Sequence, residues 1–325
     1  MLILLLACSP GSALVPASES LVPAAVPLAP AAPVVAPEAP VVAPSPSAAQ
    51  DVFPAPARLV AVGDLHGDVP SAISALQLAG VVDAAGHWTG GASWLVQTGD
   101  VLDRGPSGPA MLKWLGQLEA EAEAAGGRAL LLNGNHEAMN VAGDWRYVAD
   151  TAEFPGDTEA ARESARRAYF SADGDGGKWV RAHRITVQVG GTVFVHGGID
   201  SNWASHGISG LNLLFREAIA TSTGSAAANA VQPAVLGPDG PIWNRAYLLA
   251  DPPVACEELK RALALLHADR MVVGHTTQDS GTIATRCEGH LYGIDTGISA
   301  YYGTHPAALL IESGPKGEAV TVLPR

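Results

Sequence analysis

The stretch Arg58-Leu-Val-Ala-Val-Gly-Asp-Leu-His-Gly-Asp68 decides how the rest of the chain is read. Its first five residues form a short apolar β run, and the run stops at a glycine that opens a cluster of polar side chains. The same grammar returns twice. Residues 93–98 (SWLVQT) lead into Gly99-Asp100-Val-Leu-Asp103-Arg104-Gly105, and residues 128–132 (RALLL) lead into Gly134-Asn135-His136-Glu137. Helical stretches at 71–79 and 109–125 separate these runs. The second has Pro109 in its first turn and Gly126-Gly127 at its end. Strand–helix–strand alternation of this kind predicts an α/β fold. Further on, 185–189 and 192–195 read as a hairpin around Gly190-Gly191. A helix over 256–267 precedes a strand over 270–273, and late strands are expected at 291–294 and 308–312. Residues 138–182 and 200–253 are less regular and are expected to hold substrate-facing insertions.

Composition divides the chain at Arg58. Twelve of the 24 prolines precede it, with three of the 32 acidic residues and none of the 19 basic ones. Residues 9–57 therefore read as an extended Pro/Ala-rich tether, with a reach of up to about 140 Å. Residues 1–8 end an apolar run in Ala-Cys8, which resembles the lipobox of bacterial lipoprotein signal peptides. Cys8 is then the expected lipidated residue, tethering an exported protein to a membrane that faces the periplasm or the cell exterior. Residues 58–325 are expected to form one catalytic domain with a net charge of −10. That acidity excludes a nucleic-acid binder held by phosphate contacts. It leaves a phosphate-bearing substrate open, because bound metal charge can outweigh net charge.

Two later blocks, Val195-His196-Gly-Gly198 and Val273-Gly-His275-Thr276, end strands in the same way. Polar groups at the carboxyl ends of strands in an α/β sheet converge on one crevice. The donors collected there are Asp64, His66, Asp100, Asn135, His196 and His275. Mixed oxygen and imidazole donors suit Mn, Fe or Zn better than Ca or Mg. Six are too many for one tetrahedral ion and suit two divalent ions about 3.5–4 Å apart.

The ordered blocks GDLHG, GDVLDRG, GNHE, HGG and GHT resemble the calcineurin-like metallophosphoesterases, and GDxxDRG with GNHE resembles their phosphoprotein-phosphatase branch. Pro241-Ile-Trp-Asn-Arg245, Met271-Val-Val-Gly-His-Thr-Thr-Gln278 and Ile294-Asp-Thr-Gly-Ile-Ser299 are similar to the bacterial Shewanella-like phosphatases. The resemblance covers nearly all of 58–312. It implies a four-layer αββα sandwich (α/β, or α+β in some schemes) with two mixed sheets and a dinuclear metal site at strand carboxyl ends. It implies Asp100 between two ions, Asp64 and His66 on one, and Asn135, His196 and His275 on the other, with Mn as the expected metal. It further implies a phosphomonoesterase acting on phosphorylated protein or peptide side chains by direct attack of a metal-bridging hydroxide. His136 then acts as general acid oriented by Asp103, while Arg104, Asn135 and Arg245 bind the phosphoryl group. Phosphotyrosine and phosphoserine/threonine remain open. A diadenosine polyphosphate or other phosphodiester hydrolase on the same fold is the alternative. A scaffold with a degenerate site would have lost a ligand position, and every position is filled.

Other residues receive plainer readings. Asp68 is expected to cap the helix that follows it, Glu137 to hold the GNHE loop, and Asp295 to support the site without ligating. Asp173-Gly-Asp-Gly-Gly177 reads as a turn, since the other positions of a calcium loop are missing. Trp203 and Trp243 are candidates to line the crevice. His87, His183, His206, His267, His290 and His305 read as ordinary histidines. In an exported chain Cys256 and Cys287 are expected to pair, closing a 31-residue span.

Overall fold

The computed structural model describes residues 50–149, 153–222, 233–315 and 317–324. The expected lipidation at Cys8, the signal segment and most of the expected tether lie outside the described residues. The strands are β1 (Val52–Phe53), β2 (Arg58–Val62), β3 (Trp94–Gln97), β4 (Arg128–Leu131), β5 (Thr186–Val189) and β6 (Thr192–Val195). They continue with β7 (Arg270–Val273), β8 (Ala284–Arg286), β9 (Leu291–Gly293), β10 (Ala308–Gly314) and β11 (Gly317–Leu323). The helices are α1 (Val69–Leu78), α2 (Gly108–Ala124), α3 (Asn135–Ala142), α4 (Glu159–Tyr169) and α5 (Asp175–Ala182). After them come α6 (Ser201–Ala204), α7 (Gly207–Ala220), α8 (Ala246–Leu249) and α9 (Pro252–Leu266).

Two mixed sheets result, in the orders β1-β5-β6-β7-β9-β8 and β11-β10-β2-β3-β4. Alternation along each central strand sets the layers. In β2, Leu59 and Ala61 pack into a core between the sheets, where they meet Phe194 and Val272 of the other sheet. Val60 and Val62 point the opposite way, into a core shared with Leu76 of α1 and Leu115 of α2. In β6 and β7, Val193, Val195, Met271 and Val273 face Leu211 of α7 and Leu259 of α9. Strands apolar on both faces need cover on both sides. The expected helix–sheet–sheet–helix sandwich follows.

Parallel pairing of β2, β3 and β4 brings three carboxyl ends side by side. In the other sheet β6, β7 and β9 are also parallel neighbours. The motif loops therefore leave two adjoining sheets at one end. Among the described residues no helix is long and apolar enough to cross a membrane.

One expectation needs correction. The boundary at residue 58 is too late, because Val52 and Phe53 pair in parallel with Gln188 and Val189 of β5. Asp51 and Phe53 are buried there, so the last part of the proline-rich stretch belongs to the domain. Among the described residues the stretches 138–182 and 200–253 hold the end of α3 and then α4 to α8, separated by irregular segments.

Candidate active site

Three of the five motif loops bend through backbone that most side chains avoid. His66, Asp100, Asp103, Arg104 and His275 all have positive φ, between 46° and 65°. A non-glycine residue in this region carries roughly 1–2 kcal/mol of strain, which persists only where surroundings over-determine it. Two glycines allow the close approach. A Cβ on Gly134 would collide with the Asp100 carboxylate, and one on Gly274 would collide with that of Asp64. Glu137 holds the loops together. Its carboxylate accepts from the backbone N–H groups of Asp100 (2.8 Å), Val101 (3.0 Å), Leu102 (3.1 Å) and Gly134 (2.7 Å). Asp68 caps α1 through Ser71 as expected and also accepts from the Ala300 N–H at 2.7 Å. Asp295 accepts from Thr277 Oγ1 at 2.7 Å beside the site.

The loops bring Asp64, His66, Asp100, Asn135, His196 and His275 together, all buried. His66 Nδ1 faces the Leu102 carbonyl and His196 Nδ1 faces that of Thr98, each at 3.0 Å. Each carbonyl requires a proton on Nδ1, so the lone pair of each ring sits on Nε2. His196 Nε2 then lies 3.1 Å from Asn135 Oδ1 and 3.2 Å from Asp100 Oδ2. His196 Nε2 thus meets two oxygen acceptors as well as His275 Nδ1 at 3.1 Å, and His275 Nε2 is buried beside them with no hydrogen-bond partner among the described residues. Burial and the neighbouring histidine charge push His66 down to about 4, and burial with His196 lowers His275 as well. Both rings are thus neutral near pH 7, as ligands must be. Burial raises Asp64, with Asp295 and Asp100 adding to it. Burial and Asp100 raise Glu137 to about 7, against its backbone hydrogen bonds. Clustered acceptors and mutually repelling carboxylates are what divalent cations would relieve, so the donor set fits bound metal. Asp100 belongs to two groups of potential ligands, one with His66 and His136 and one with His196 and His275, and within each the donor atoms lie within 4.8 Å of one another.

His136 stands apart from the other donors. Its Nδ1 is 2.7 Å from Asp103 Oδ2, and its Nε2 lies toward the crevice, 3.7 Å from Asp100 Oδ2. Burial works against its charge, but Asp100 and Asp103 together raise it. Burial likewise opposes the Asp103 carboxylate, yet His136 and Arg166 hold it down. Both shifts favour the ionised forms, a carboxylate beside an imidazolium. Arg104 packs its guanidinium 4.1 Å from the Tyr147 ring and 5.1 Å from that of Tyr301. Arg245 donates to the His275 carbonyl at 2.6 Å. Tyr147, Tyr302 and Trp243 complete the crevice lining with both arginines. Trp203 does not take part. It borders a separate apolar hollow of about 450 Å³ that holds none of the motif residues.

The calcineurin-like phosphoesterase family model matches residues 57–279. This chain belongs to that family. It is a hydrolase of the metallophosphoesterase type, and the family implies divalent metal ions. Shewanella-like protein phosphatase 2 of Arabidopsis thaliana is 34% identical over 292 residues, covering 77% of this chain and 73% of that protein. Shewanella-like protein phosphatase 1 of Plasmodium berghei is 32% identical, covering 75% and 68%. The crystal structure of a cold-active protein-tyrosine phosphatase from a psychrophilic Shewanella superposes with a TM-score of 0.69 at 27% identity, covering 86% and 85%. The Shewanella-like resemblance of the later motifs agrees with these relatives.

Sequence reading missed four parts of this metallophosphoesterase site. Tyr147, Tyr301 and Tyr302 sit outside the motif blocks, and nothing in their spacing sets them apart. Asn140 donates to Asp103 Oδ1 at 3.0 Å and to the His136 carbonyl at 2.9 Å. Its position four residues after His136, on one helix face, was the available signal. Arg166 donates to Asp103 Oδ1 at 2.7 Å. Glu153 accepts from Arg166 at 2.6 Å and from the Gly108 N–H at 2.8 Å. Cys256 and Cys287 form a disulfide, with Cα atoms 5.3 Å apart.

Proposed function

We propose that this metallophosphoesterase is a two-metal phosphomonoesterase acting on phosphorylated protein side chains. The observation that carries the reading is the crowd of buried lone pairs around Asp100, set next to the Asp103–His136 pair. Asp64, His66 and Asp100 would hold one ion, and Asp100, Asn135, His196 and His275 the other. Divalent ions held there would supply Lewis acidity to phosphoryl oxygens. Arg104, gripped by two tyrosine rings, presents its fork to the phosphoryl group, with Arg245 and Asn135 beside it. His136, charged and aimed by Asp103, delivers the proton from Nε2 to the departing oxygen. A protein side chain is a poor leaving group until it gains that proton.

The phosphatase names of the relatives favour a phosphoprotein over a dinucleoside polyphosphate. The test is turnover of phosphotyrosine and phosphothreonine peptides by the purified enzyme with Mn²⁺, against diadenosine tetraphosphate. Peptide hydrolysis lost in Asp100→Asn supports the reading. Cleavage of the dinucleotide alone overturns it. We also propose export and lipid attachment at Cys8, for which acyl labelling lost in Cys8→Ala is the check.

A further inference from the structure

Arg166 is the largest fully buried side chain among the described residues. It is also the buried position of α4, a helix whose other residues are polar or at least partly exposed. A helix anchored by a guanidinium instead of an apolar side chain is an expensive way to dock, because desolvating a charge costs more than burying a methyl group gains. The cost is met by a complete set of partners. The Arg166 Nη2 reaches Asp103 Oδ1 at 2.7 Å, Nε reaches Asn140 Oδ1 at 3.0 Å, and Nη1 reaches Glu153 Oε1 at 2.6 Å. Nη2 also contacts Asn140 Oδ1. The rings of Phe154 and Phe170 lie 5.2 and 5.4 Å from the guanidinium carbon.

We infer that Arg166 is a positioning residue for the general acid, acting on His136 through Asp103. This inference rests on the proposed role of His136. Asp103 has two carboxylate oxygens and one rotatable axis. With Oδ1 held by Arg166 and Asn140, Oδ2 can only face His136 Nδ1. That bond fixes the ring about its own axis and sends Nε2 into the crevice. Asn140 closes the frame by bonding both the carboxylate and the His136 carbonyl. Arg166 touches neither the substrate crevice nor a metal-type donor. Its effect is therefore confined to the step that needs an aimed proton.

The experiment compares leaving groups. Arg166→Met removes the charge and the fork. Arg166→Lys keeps the charge, so it guards against a variant that simply fails to fold. Asn140→Ser weakens the same frame independently. Each is assayed with Mn²⁺ on a phosphothreonine peptide and on 2,4-dinitrophenyl phosphate, whose leaving group needs no proton. For Arg166→Lys the expected result is a fall in kcat of about 100-fold on the peptide and under threefold on the aryl phosphate, with KM unchanged. In a His136→Asn background the same substitution should add less than twofold, since both act on one step. Equal losses on both substrates would mean that Arg166 only supports the fold, and the inference falls. Undiminished peptide turnover, or a full additional loss in the His136→Asn background, also overturns it. Failure of His136→Asn itself to discriminate between leaving groups would instead sink the proposed role of His136.

Discussion

Substituting one glycine tests the packing account of the site directly, because a matched glycine elsewhere should respond with the opposite sign. Gly134 has φ −101°, a conformation open to any residue, so Gly134→Ala brings no backbone strain. Its added Cβ would overlap Asp100 Oδ1 and lie 2.7 Å from the Asp100 nitrogen and 2.9 Å from its carboxylate carbon. Carbon atoms in comfortable contact stand about 3.5–4.0 Å apart, so the carboxylate must retreat by roughly 0.6–1 Å. Overpacking of this kind costs about 1–3 kcal/mol, a fall in Tm of about 2–12 °C for a domain this size. Displacing a reactive group by about 1 Å is worth on the order of 100-fold in rate. Gly116 lies inside α2 with nothing within 4 Å of its added Cβ. Gly116→Ala should stabilise by about 0.5–1 kcal/mol and leave kcat alone. Calorimetry with Mn²⁺ and steady-state hydrolysis of a phosphopeptide read both quantities. A Gly134→Ala enzyme within threefold of wild-type kcat, with unchanged Tm, refutes the view that this glycine exists to admit Asp100.

Three further outcomes follow. Arg104→Lys keeps one charge but loses the planar fork and its stacking on Tyr147, so KM for a phosphopeptide should rise about tenfold, as a KM measurement would show. Mutating Cys256→Ala opens the 31-residue loop and should lower stability by about 3–4 kcal/mol, or Tm by about 6–16 °C, with near-normal activity at 25 °C. Glu137 carries a folded-state value near 7 against 4.5 for an ordinary glutamate. An acid raised on folding lowers stability as pH rises from its unfolded value through its folded one. In EDTA, Tm of the wild type should therefore fall more steeply between pH 5 and 7.5 than that of Glu137→Gln; parallel curves would contradict this.

Much of this architecture was legible because both faces of its strands are buried. β2, β3, β4 and β7 announce themselves as short apolar runs, and each ends in a loop whose glycine is required by close contact. The metal-type donors were legible for the same reason, since each follows directly on a strand. Elements decided by tertiary contact were not. β1 is two residues in a proline-rich stretch and exists because β5 offers an edge beside it. β8 is three residues long, and β11 is half-buried with no fully buried residue, so neither shows the continuous apolar run of the central strands. Arg166 was the least visible. One of three arginines in Glu-Ala-Ala-Arg-Glu-Ser-Ala-Arg-Arg-Ala-Tyr looks like part of a solvated helix face. Only the fold reveals that this face turns inward and meets Asp103. The stretch expected to face substrate reaches the crevice through Tyr147, while its helix α4 meets Asp103 through Arg166.

The acidity that composition set against a phosphate-handling protein has a local explanation. Asp64, Asp100, Glu137 and Asp295 are all buried at one end of the two sheets. Burial raises Asp64, Glu137 and Asp295, and like charges add to each rise. Left alone, such a cluster repels itself and repels phosphate. Its loops are also strained at five non-glycine residues. A chain keeps so costly an arrangement when the cost is offset on binding, and the proposed divalent ions carry the charge that would do so. The same ions would convert an acidic pocket into one that attracts an anion, with Arg104 and Arg245 at its mouth. On this reading metal affinity and fold stability are linked. Mn²⁺ at a hundred times its Kd should stabilise the folded domain by about 2.7 kcal/mol. The increment should be largest in variants that keep all the carboxylates and should shrink in Asp64→Asn, which removes repulsion and a ligand together.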